Sequence, residues 1–440
     1  MIYIIAVTCI ASLLGSISII LTGSKTNPVI LYIMCWTPGI ALNALQLGNF
    51  KVIEQQGWFY LIISICSYSL GCLSIAFLTF RRGKQLHSPV DTIKEQYVNR
   101  LIRKYIIVLS VISSIAIFMN WVILIRMFGS IRGVLGNANL IYTMRVDGES
   151  FRAIPYLNTL LFSASALAGI YFERTKKIGL VLLLPLLLAV LDSLTSMGRV
   201  YIICAVMLYI NPIIISYGIK HKSNLSISRV KVFTVIILSI TILLASTSIR
   251  LIRGGNIRKA EHKSKFLTMI GPYGEAVLTS GVDYLAGPVA TFSACLDYDR
   301  VTLGKGPLPG MQTISPFFRV LSKLNLVPEI SYYETFINVG DRFMNTGTYL
   351  KDIFIDFGFL GIIIIPFLLG GIIMSCWEKL VKKNLLSTYV SLSFFYLFIE
   401  LSPMVNTLRL GYYVIPFAIS IFVMSRIDRK YKKMHRRGYL

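Results

Sequence analysis

Ile249-Arg-Leu-Ile-Arg-Gly-Gly-Asn-Ile-Arg258 opens a stretch of mixed polar and apolar residues that runs to Thr348. Outside this stretch, the chain consists of apolar runs joined by short, mostly basic loops. Apolar runs of about 20 residues are long enough to cross the hydrocarbon core of a bilayer as α-helices. The sequence therefore predicts two groups of membrane spans separated by one large insert. The side of the membrane that the insert faces limits what the protein can do.

The composition supports the same class of protein. Of the 440 residues, 55% are hydrophobic and only 15% are charged, and the mean hydropathy is +0.69. Soluble domains are typically about a quarter charged. The chain starts Met1-Ile-Tyr-Ile-Ile with no basic segment and no small-residue cleavage site, so we expect a retained first helix rather than a signal peptide. We predict an all-α polytopic membrane protein.

Eleven apolar runs have the length of a membrane span. They cover residues 2–22, 28–47, 57–80, 105–125, 153–172, 178–195, 200–218, 232–249, 349–375, 386–402 and 410–425. One alternating set of loops, which includes the tail from Arg426, holds 25 of the 44 Lys and Arg residues but only five of the 20 acidic residues. Basic residues in short loops mark the cytoplasmic side. We therefore predict that the N-terminus and the insert face outward and that the C-terminus faces the cytoplasm.

This topology divides the chain into three predicted parts. Residues 1–249 hold spans 1–8, residues 250–348 form a large external loop, and residues 349–440 hold spans 9–11 and a basic cytoplasmic tail. Most of the excess positive charge lies close to helix ends, where it meets anionic lipid headgroups. We therefore expect membrane lipids, and no nucleic acid, as partners of the basic residues.

Several kinds of cofactor site lack sequence support. The seven cysteines form no CxxC pair, so the sequence indicates neither a disulfide framework nor a zinc site. Walker A, HExxH and GxSxG motifs are absent from the sequence. Asp297-Tyr-Asp299 resembles a metal–diphosphate DxD motif, but such short acidic pairs are common in polar loops. We expect no metal and no cofactor.

Arginine is abundant on the predicted outer side. Taken singly, each of these side chains could simply extend to the headgroup level. Ten arginines on the outer side are unexpected, however, because Lys and Arg are normally enriched in cytoplasmic loops. The planar guanidinium binds phosphate oxygens bidentately, whereas lysine offers a point charge. The pattern favours a site for a lipid-linked diphosphate, with these arginines as candidates: Arg126, Arg132, Arg145, Arg152, Arg199, Arg250, Arg253, Arg258, Arg342 and Arg409.

Acidic residues near the ends of predicted spans support an outward-facing polar cavity. Asp192-Ser-Leu-Thr-Ser-Met-Gly-Arg199 places an acid and an arginine at the turn between two spans. Ionisable groups at membrane depth are costly and usually face a polar interior. After the insert, Thr348 can cap the next helix, in which Asp352 and Asp356 are four residues apart and share one face. Acids in the first turn of a helix also gain from its dipole.

At these residues the chain resembles a known family. Ser196-Met-Gly-Arg199, the Arg-Gly-Gly opening of the insert and Gly347-Thr-Tyr-Leu350 with the later Asp-Phe-Gly358 are similar to the Wzy-type polymerases of O-antigen or capsule repeat units, which are related to O-antigen ligases. The resemblance covers the whole topology and implies a GT-C-like polymerase/ligase architecture. It also implies a metal-independent, inverting glycosyltransferase that joins undecaprenyl-diphosphate-linked oligosaccharides on the outer face, with a chain-length regulator protein as a further partner.

The resemblance implies roles for particular residues. Arginines of the outer side would hold the diphosphate leaving group, first Arg199, Arg253 and Arg342, together with Arg145, Arg250 and Arg258. Asp352 or Asp356 would act as the catalytic base. The ligases carry a histidine where this chain has Asn345-Thr346, and the Arg-x10-Gly motif of some polymerases is absent. The alternatives are an O-antigen ligase and a flippase for lipid-linked oligosaccharides. Against a flippase stand the odd number of spans, the long outer loop and the lack of a visible internal repeat.

Overall fold

The computed structural model describes residues 2–81, 92–146, 154–177, 179–220, 248–249, 252, 271–328, 336–340, 342–383 and 385–436. Over these ranges the regular secondary structure is helical except for one short β-hairpin and an isolated β-bridge between Phe50 and Gly340. Nearly all of the predicted span at 232–249 lies outside the described residues. The same is true of Arg152, Arg250, Arg253 and Arg258, so their predicted roles have no structural description.

The α-helices of the described ranges, numbered in chain order, are α1 (Ile2–Thr22), α2 (Pro28–Ala44), α3 (Gln55–Arg81), α4 (Thr92–Phe128), α5 (Ile131–Gly136), α6 (Ala138–Val146), α7 (Leu160–Thr175), α8 (Leu180–Ser196), α9 (Val200–Lys220), α10 (Gly271–Cys295), α11 (Ser315–Lys323), α12 (Tyr349–Lys383), α13 (Leu386–Leu401) and α14 (Gly411–Arg436). Two 3-10 turns occur at Leu157–Thr159 and Thr407–Arg409. Strands β1 (Ile337–Asn338) and β2 (Phe343–Met344) pair antiparallel in the hairpin.

The predicted spans inside the described ranges each overlap a helix, which confirms the all-α character of the chain. Five helices, α1, α3, α4, α9 and α12, contain stretches long and apolar enough to cross a membrane. Helices α2, α8 and α13 are apolar but shorter. The count of eleven spans and the GT-C-like architecture stay predictions.

The chain folds into two compact units. The first comprises residues 1–87, 217–224 and 281–414, and the second comprises 88–216, 225–280 and 415–440. These boundaries differ from the predicted division at 249 and 348. They cut through the predicted external loop, because the residues from Gly281 onward pack with the first unit.

Close backbone approaches hold the first unit together. A Cβ atom on Gly71 of α3 would overlap the carbonyl of Phe367 in α12, and one on Gly370 would overlap the carbonyl of Tyr68. Small residues of this kind let helices of a membrane protein approach closely and gain van der Waals contact. The Trp36 indole also donates to Ser402 Oγ at 2.9 Å, which ties α2 to the end of α13.

Helix α10 lies inside the predicted external loop and yet packs into the first unit. Gly39 of α2 lies directly against the Leu285 carbonyl, and Asn43 Nδ2 donates to the Ala286 carbonyl at 2.7 Å. The sequence did not predict this buried helix. Pro288 and the polar residues around it lower the hydropathy below that of a membrane span.

In the second unit, α4, α7 and α8 pack against one another, and α7 approaches α9 and α14. Gly169 of α7 lies against the Tyr209 carbonyl of α9, and Ser163 Oγ donates to the Pro416 carbonyl at 3.0 Å. The Trp121 indole of α4 donates to the Leu191 carbonyl at 3.2 Å. This packing fixes the end of α8, where the first group of candidate site residues begins.

Candidate functional site

The turn between α8 and α9 positions the predicted pair Asp192 and Arg199. Helix α8 ends because Met197 adopts a left-handed backbone conformation, with φ of 47°, and Gly198 N donates back to the Ser193 carbonyl at 3.1 Å. Asp192 is buried and accepts a hydrogen bond of 2.7 Å from Asn158 Nδ2. The turn is therefore held by the bond from Gly198 to Ser193, and the end of α8 is held by the bond from Asn158 to Asp192.

Two of the predicted diphosphate-binding arginines adjoin this turn, Arg145 through its side chain and Arg199 through its place in the chain. A Cβ atom on Gly198 would lie 2.5 Å from Arg145 Nη1 and 3.3 Å from Arg145 Cζ, so the guanidinium occupies the space that a side chain would fill. Arg199 follows directly and donates from Nη1 to Ser280 Oγ at 3.2 Å. Both arginines are partly exposed. We call this group the Arg145–Arg199 cluster.

The surroundings of the Arg145–Arg199 cluster suit an anion. Ile203 N donates to the Arg199 carbonyl, so Arg199 stands at the start of the 21-residue helix α9. The N-terminal end of a helix carries partial positive charge and orients N–H groups toward an anion. Tyr142 supports the Arg145 guanidinium from the side, with its ring centroid 5.0 Å from Cζ. Two guanidinium groups at a helix start can bind a phosphate or diphosphate.

Two other outer arginines in the described part of the second unit lie away from this turn. Arg126 in the last turn of α4 and Arg132 in α5 are exposed. Their exposure agrees with the alternative that they extend toward headgroups, and both serve as controls for the Arg145–Arg199 cluster.

In the first unit, Asp356 accepts a set of hydrogen bonds that fixes the fold. Its carboxylate accepts from Gln312 N at 3.1 and 3.2 Å, from Thr313 N at 2.6 Å and from Thr313 Oγ1 at 2.7 Å. Asn406 Nδ2 in turn donates to the Thr313 carbonyl at 2.9 Å. These bonds tie the 312–313 segment to α12, so the geometry favours a structural role for Asp356. Its role as a base stays a prediction.

Asp352 pairs with Arg409. The Arg409 Nη1 atom lies 3.1 Å from Asp352 Oδ1, and the two side chains are only 12% and 5% exposed. The hypothesis that Arg409 merely extends to the headgroup level is therefore wrong. A buried charge must be paired to be tolerated, and removal of either partner leaves the other buried and uncompensated.

The start of α12 differs from the predicted cap. Tyr349 N donates to the Ser402 carbonyl at 3.0 Å, and the Thr348 hydroxyl has no hydrogen-bond partner among the described residues. Thr348 therefore does not cap the helix through its side chain. The carbonyl of another segment takes the place of the cap, and such a contact cannot be predicted from local sequence.

Helix α12 is broken at Gly358. This residue has φ of 66° and ψ of −151°, a conformation open to glycine and strained for other residues. Arg300 lies at the break, where its Nε atom donates to the Ile355 carbonyl at 2.8 Å. The guanidinium thus satisfies a carbonyl at the end of the first helical segment. The sequence did not indicate a role for Arg300, although this residue directly follows the DxD-like motif.

Arg342 is held by several groups of the first unit. Its guanidinium donates to Asp283 and to the Gly48 carbonyl, and its Cζ atom lies 4.3 Å from the centroid of the Phe50 ring. Phe50 also forms a β-bridge with Gly340 of the hairpin. These contacts give Arg342 a structural role in fixing the hairpin, and they weigh against a role in diphosphate binding, which stays a prediction.

The two acids of the DxD-like motif accept hydrogen bonds from different residues. Asp297 accepts from Lys51 Nζ at 2.7 Å, and this hydrogen bond raises the pKa of Lys51. Asp299 Oδ1 accepts from Val301 N at 3.5 Å. Lys51 also pairs with Glu54 at 3.1 Å. In the described part of the chain, no group of three or more His, Cys, Asp or Glu residues is arranged to hold a metal ion.

Comparison with known proteins adds no family assignment to this geometry. Neither a protein-family model, nor a curated protein, nor a solved structure matches the chain.

Proposed function

We propose that the protein polymerises undecaprenyl-diphosphate-linked oligosaccharide repeat units for O-antigen or capsule synthesis. In this reaction a growing glycan moves from its lipid diphosphate to the terminal hydroxyl of a new repeat unit. The acceptor oxygen forms a bond to the anomeric carbon, the bond from that carbon to the diphosphate breaks, and the hydroxyl proton passes to a base. Inversion at the anomeric carbon follows from a single displacement.

The Arg145–Arg199 cluster is the observation that carries the proposal. The departing diphosphate gains negative charge in the transition state, and donors placed in advance for that charge lower the barrier. Two guanidinium groups at the start of α9 supply such donors. Arg250, Arg253 and Arg258 are further diphosphate-binding candidates. Asp352 and Asp356 are the candidate bases, of which Asp352 pairs with Arg409 and Asp356 accepts hydrogen bonds from the 312–313 segment.

The proposal includes a topology for the whole chain. Eleven spans in a GT-C-like arrangement place the N-terminus and the large insert outside and the C-terminus in the cytoplasm of a bacterial inner membrane. The charge distribution between the two sets of loops supports this orientation. A chain-length regulator protein is a further proposed partner.

The proposal is tested by substitution of the two clustered arginines. Arg145 and Arg199 are each changed to Lys and to Ala, and glycan ladders are compared beside an immunoblot of the membrane fraction. We expect both substitutions to shorten the ladder to single repeat units, because Lys keeps the charge but loses bidentate contact. Loss of one charged contact corresponds to about 2–4 kcal/mol, or roughly 30- to 1000-fold in rate.

Arg132→Lys and Arg126→Lys are the matched controls, because both residues are exposed arginines of the same unit. We expect them to leave the ladder unchanged. Normal ladders from Arg145→Lys and Arg199→Lys, at unchanged protein level, would place the diphosphate site elsewhere.

A lipid-linked oligosaccharide flippase is the second candidate, and the break in α12 at Gly358 favours it. Discontinuous helices line the substrate sites of many transporters. The two functions separate in cells that lack this protein. Loss of a polymerase leaves single repeat units on the outer face, whereas loss of a flippase traps them on the inner face, where an external glycosidase cannot reach them.

A further inference from the structure

Helix α11 has an exposed apolar side. Ser315 and Phe318 are buried, while Phe317 and Val320 are each 58% exposed. At 100° per residue, Phe317 and Val320 fall on one side of the helix together with Leu321, and Ile314 and Leu324 continue that side beyond the helix ends. Ile314 and Leu324 are exposed as well, by 40% and 62%. We call Ile314, Phe317, Val320 and Leu324 the apolar ridge.

The contacts of α11 place it beside a helix that is long and apolar enough to span a membrane. Ser315 Oγ donates to the Arg409 carbonyl at 2.9 Å, and Thr313 N donates to Asp356 of α12 at 2.6 Å. A Cβ atom on Gly310 would lie 3.3 Å from Phe318 and 3.6 Å from Phe357, so α11 also packs near Phe357.

The depth of α11 follows from these contacts. The candidate span starts at Tyr349, and Asp356 lies seven residues later. At about 1.5 Å per residue, Asp356 is about 10 Å from the start of the span. Helix α11 therefore packs about 10 Å along α12 from its Tyr349 end, and interfacial helices lie about 5–10 Å into the boundary between headgroups and acyl chains.

The charge of the segment fits a lipid surface. Residues 301–328 contain Lys305, Arg319 and Lys323 and no acidic residue. At about 100° per residue, Lys323 lies roughly 60° from Val320 and so borders the apolar ridge, whereas Arg319 lies on the other side of α11, near Ser315. Basic residues beside an apolar face are typical of helices that lie in the membrane interface, where they meet lipid phosphates.

We propose that α11 is an interfacial helix whose apolar ridge is embedded in the phospholipid bilayer that surrounds the protein. Lys323, which borders the ridge, contacts lipid phosphates at the same level. A bilayer that holds α11 in place also holds Ser315 and the preceding Thr313. These two residues donate hydrogen bonds to the Arg409 carbonyl and to Asp356, respectively. This proposal depends on the membrane embedding of the chain and is independent of the proposed reaction.

The test is site-specific photocrosslinking of the full-length protein in native membranes. The photoreactive residue p-benzoylphenylalanine replaces Phe317 or Val320 on the ridge, and Ser322 on the opposite side of α11 serves as the matched control. Leu360, which is 65% exposed on α12, is the positive control for lipid contact. After irradiation and purification, mass spectrometry measures phospholipid adducts.

We expect adduct yields at positions 317 and 320 to match that at 360 and to exceed that at 322 by about fivefold or more, since only the ridge reaches the acyl region. Adducts at 360 without any at 317 and 320 would overturn the proposal. Crosslinks from the ridge to a second copy of the chain or to another protein would overturn it as well, because a protein surface would then cover the ridge.

A second measurement keeps the proposal testable if a variant accumulates poorly. The Phe317→Trp protein is reconstituted with phospholipids brominated at defined acyl depths, and its fluorescence is compared with that of the parent protein, whose four tryptophans give the background. We expect additional quenching by lipids brominated near the headgroup end. Quenching equal to that of the parent protein contradicts the proposal.

Discussion

At the scale of single residues, the structure separates acids and arginines that look alike in the sequence. Asp352 and Asp356 are four residues apart, but one pairs with Arg409 and the other accepts from the Gln312 and Thr313 backbone. Likewise Arg145 lies at the Gly198 turn, whereas Arg342 binds Asp283. The residue type can be read from the sequence. Only the contacts in the structure show which of these side chains are available to bind a ligand.

Asp356→Asn tests the structural role of that carboxylate. The amide can still accept a hydrogen bond, but its NH2 group would face donors of Gln312 or Thr313. We expect a loss of about 1–3 kcal/mol of stability, the usual cost of an unsatisfied buried polar group. The measurement is the thermal unfolding midpoint of the purified protein in detergent, with Thr313→Ala as a milder change at the same site. Unchanged stability with abolished polymerisation would instead identify Asp356 as the catalytic base.

At the scale of helices, the sequence predicted where helices lie in the chain better than which residues they contact. The start of α2 could be predicted because Asn27 caps it and Pro28 follows at the first helical position. Helix α10 was not predicted, since it contains Pro288 and polar residues and is buried only through contacts with distant helices. The partners Arg300 and Ile355 are 55 residues apart, so no local pattern reveals their hydrogen bond.

Gly358→Ala tests the break in α12. A Cβ atom at this position would be strained by the positive φ and would lie 3.1 Å from Arg300 Nη1. We expect a loss of about 1–3 kcal/mol, the range for a residue forced into a sparsely populated backbone conformation. The control is Gly281→Ala in α10, where no atom lies within 4 Å of the new Cβ and where alanine should be neutral or stabilising. Equal unfolding midpoints for the two variants would show that the break tolerates a side chain.

At the scale of the whole molecule, composition and charge predict an all-α membrane chain, and the helices agree. The orientation depends on the distribution of Lys and Arg between loops, which is a property of the sequence alone. The two compact units could not be predicted in this way. Residues 217–224 and 281–414 join residues 1–87 through packing between segments that are far apart in the chain.

Reporter fusions test the predicted orientation. Reporters inserted within 255–340 should behave as external, and reporters at 85–100 and 430–440 should behave as cytoplasmic, because the latter positions belong to the set of loops that holds 25 of the 44 Lys and Arg residues. The readout is a pair of reporters active on opposite sides of the membrane, which checks each position twice. A cytoplasmic signal from 255–340 would remove the basis for an outward-facing reaction.

Reconstitution of the purified protein tests the central claim most directly. The protein is placed in liposomes with undecaprenyl-diphosphate-linked repeat units from cells that lack it, without nucleotide and with EDTA, and the products are separated by length. We predict a ladder of lipid-linked glycans and no ladder from the Arg199→Ala protein, since arginine rather than a metal ion is proposed to neutralise the leaving diphosphate. Repeat units that stay single with and without added manganese or magnesium, in liposomes that contain folded protein, would contradict the account. A ladder that requires either metal would contradict the proposed role of the arginines and favour Asp297 and Asp299 as metal ligands.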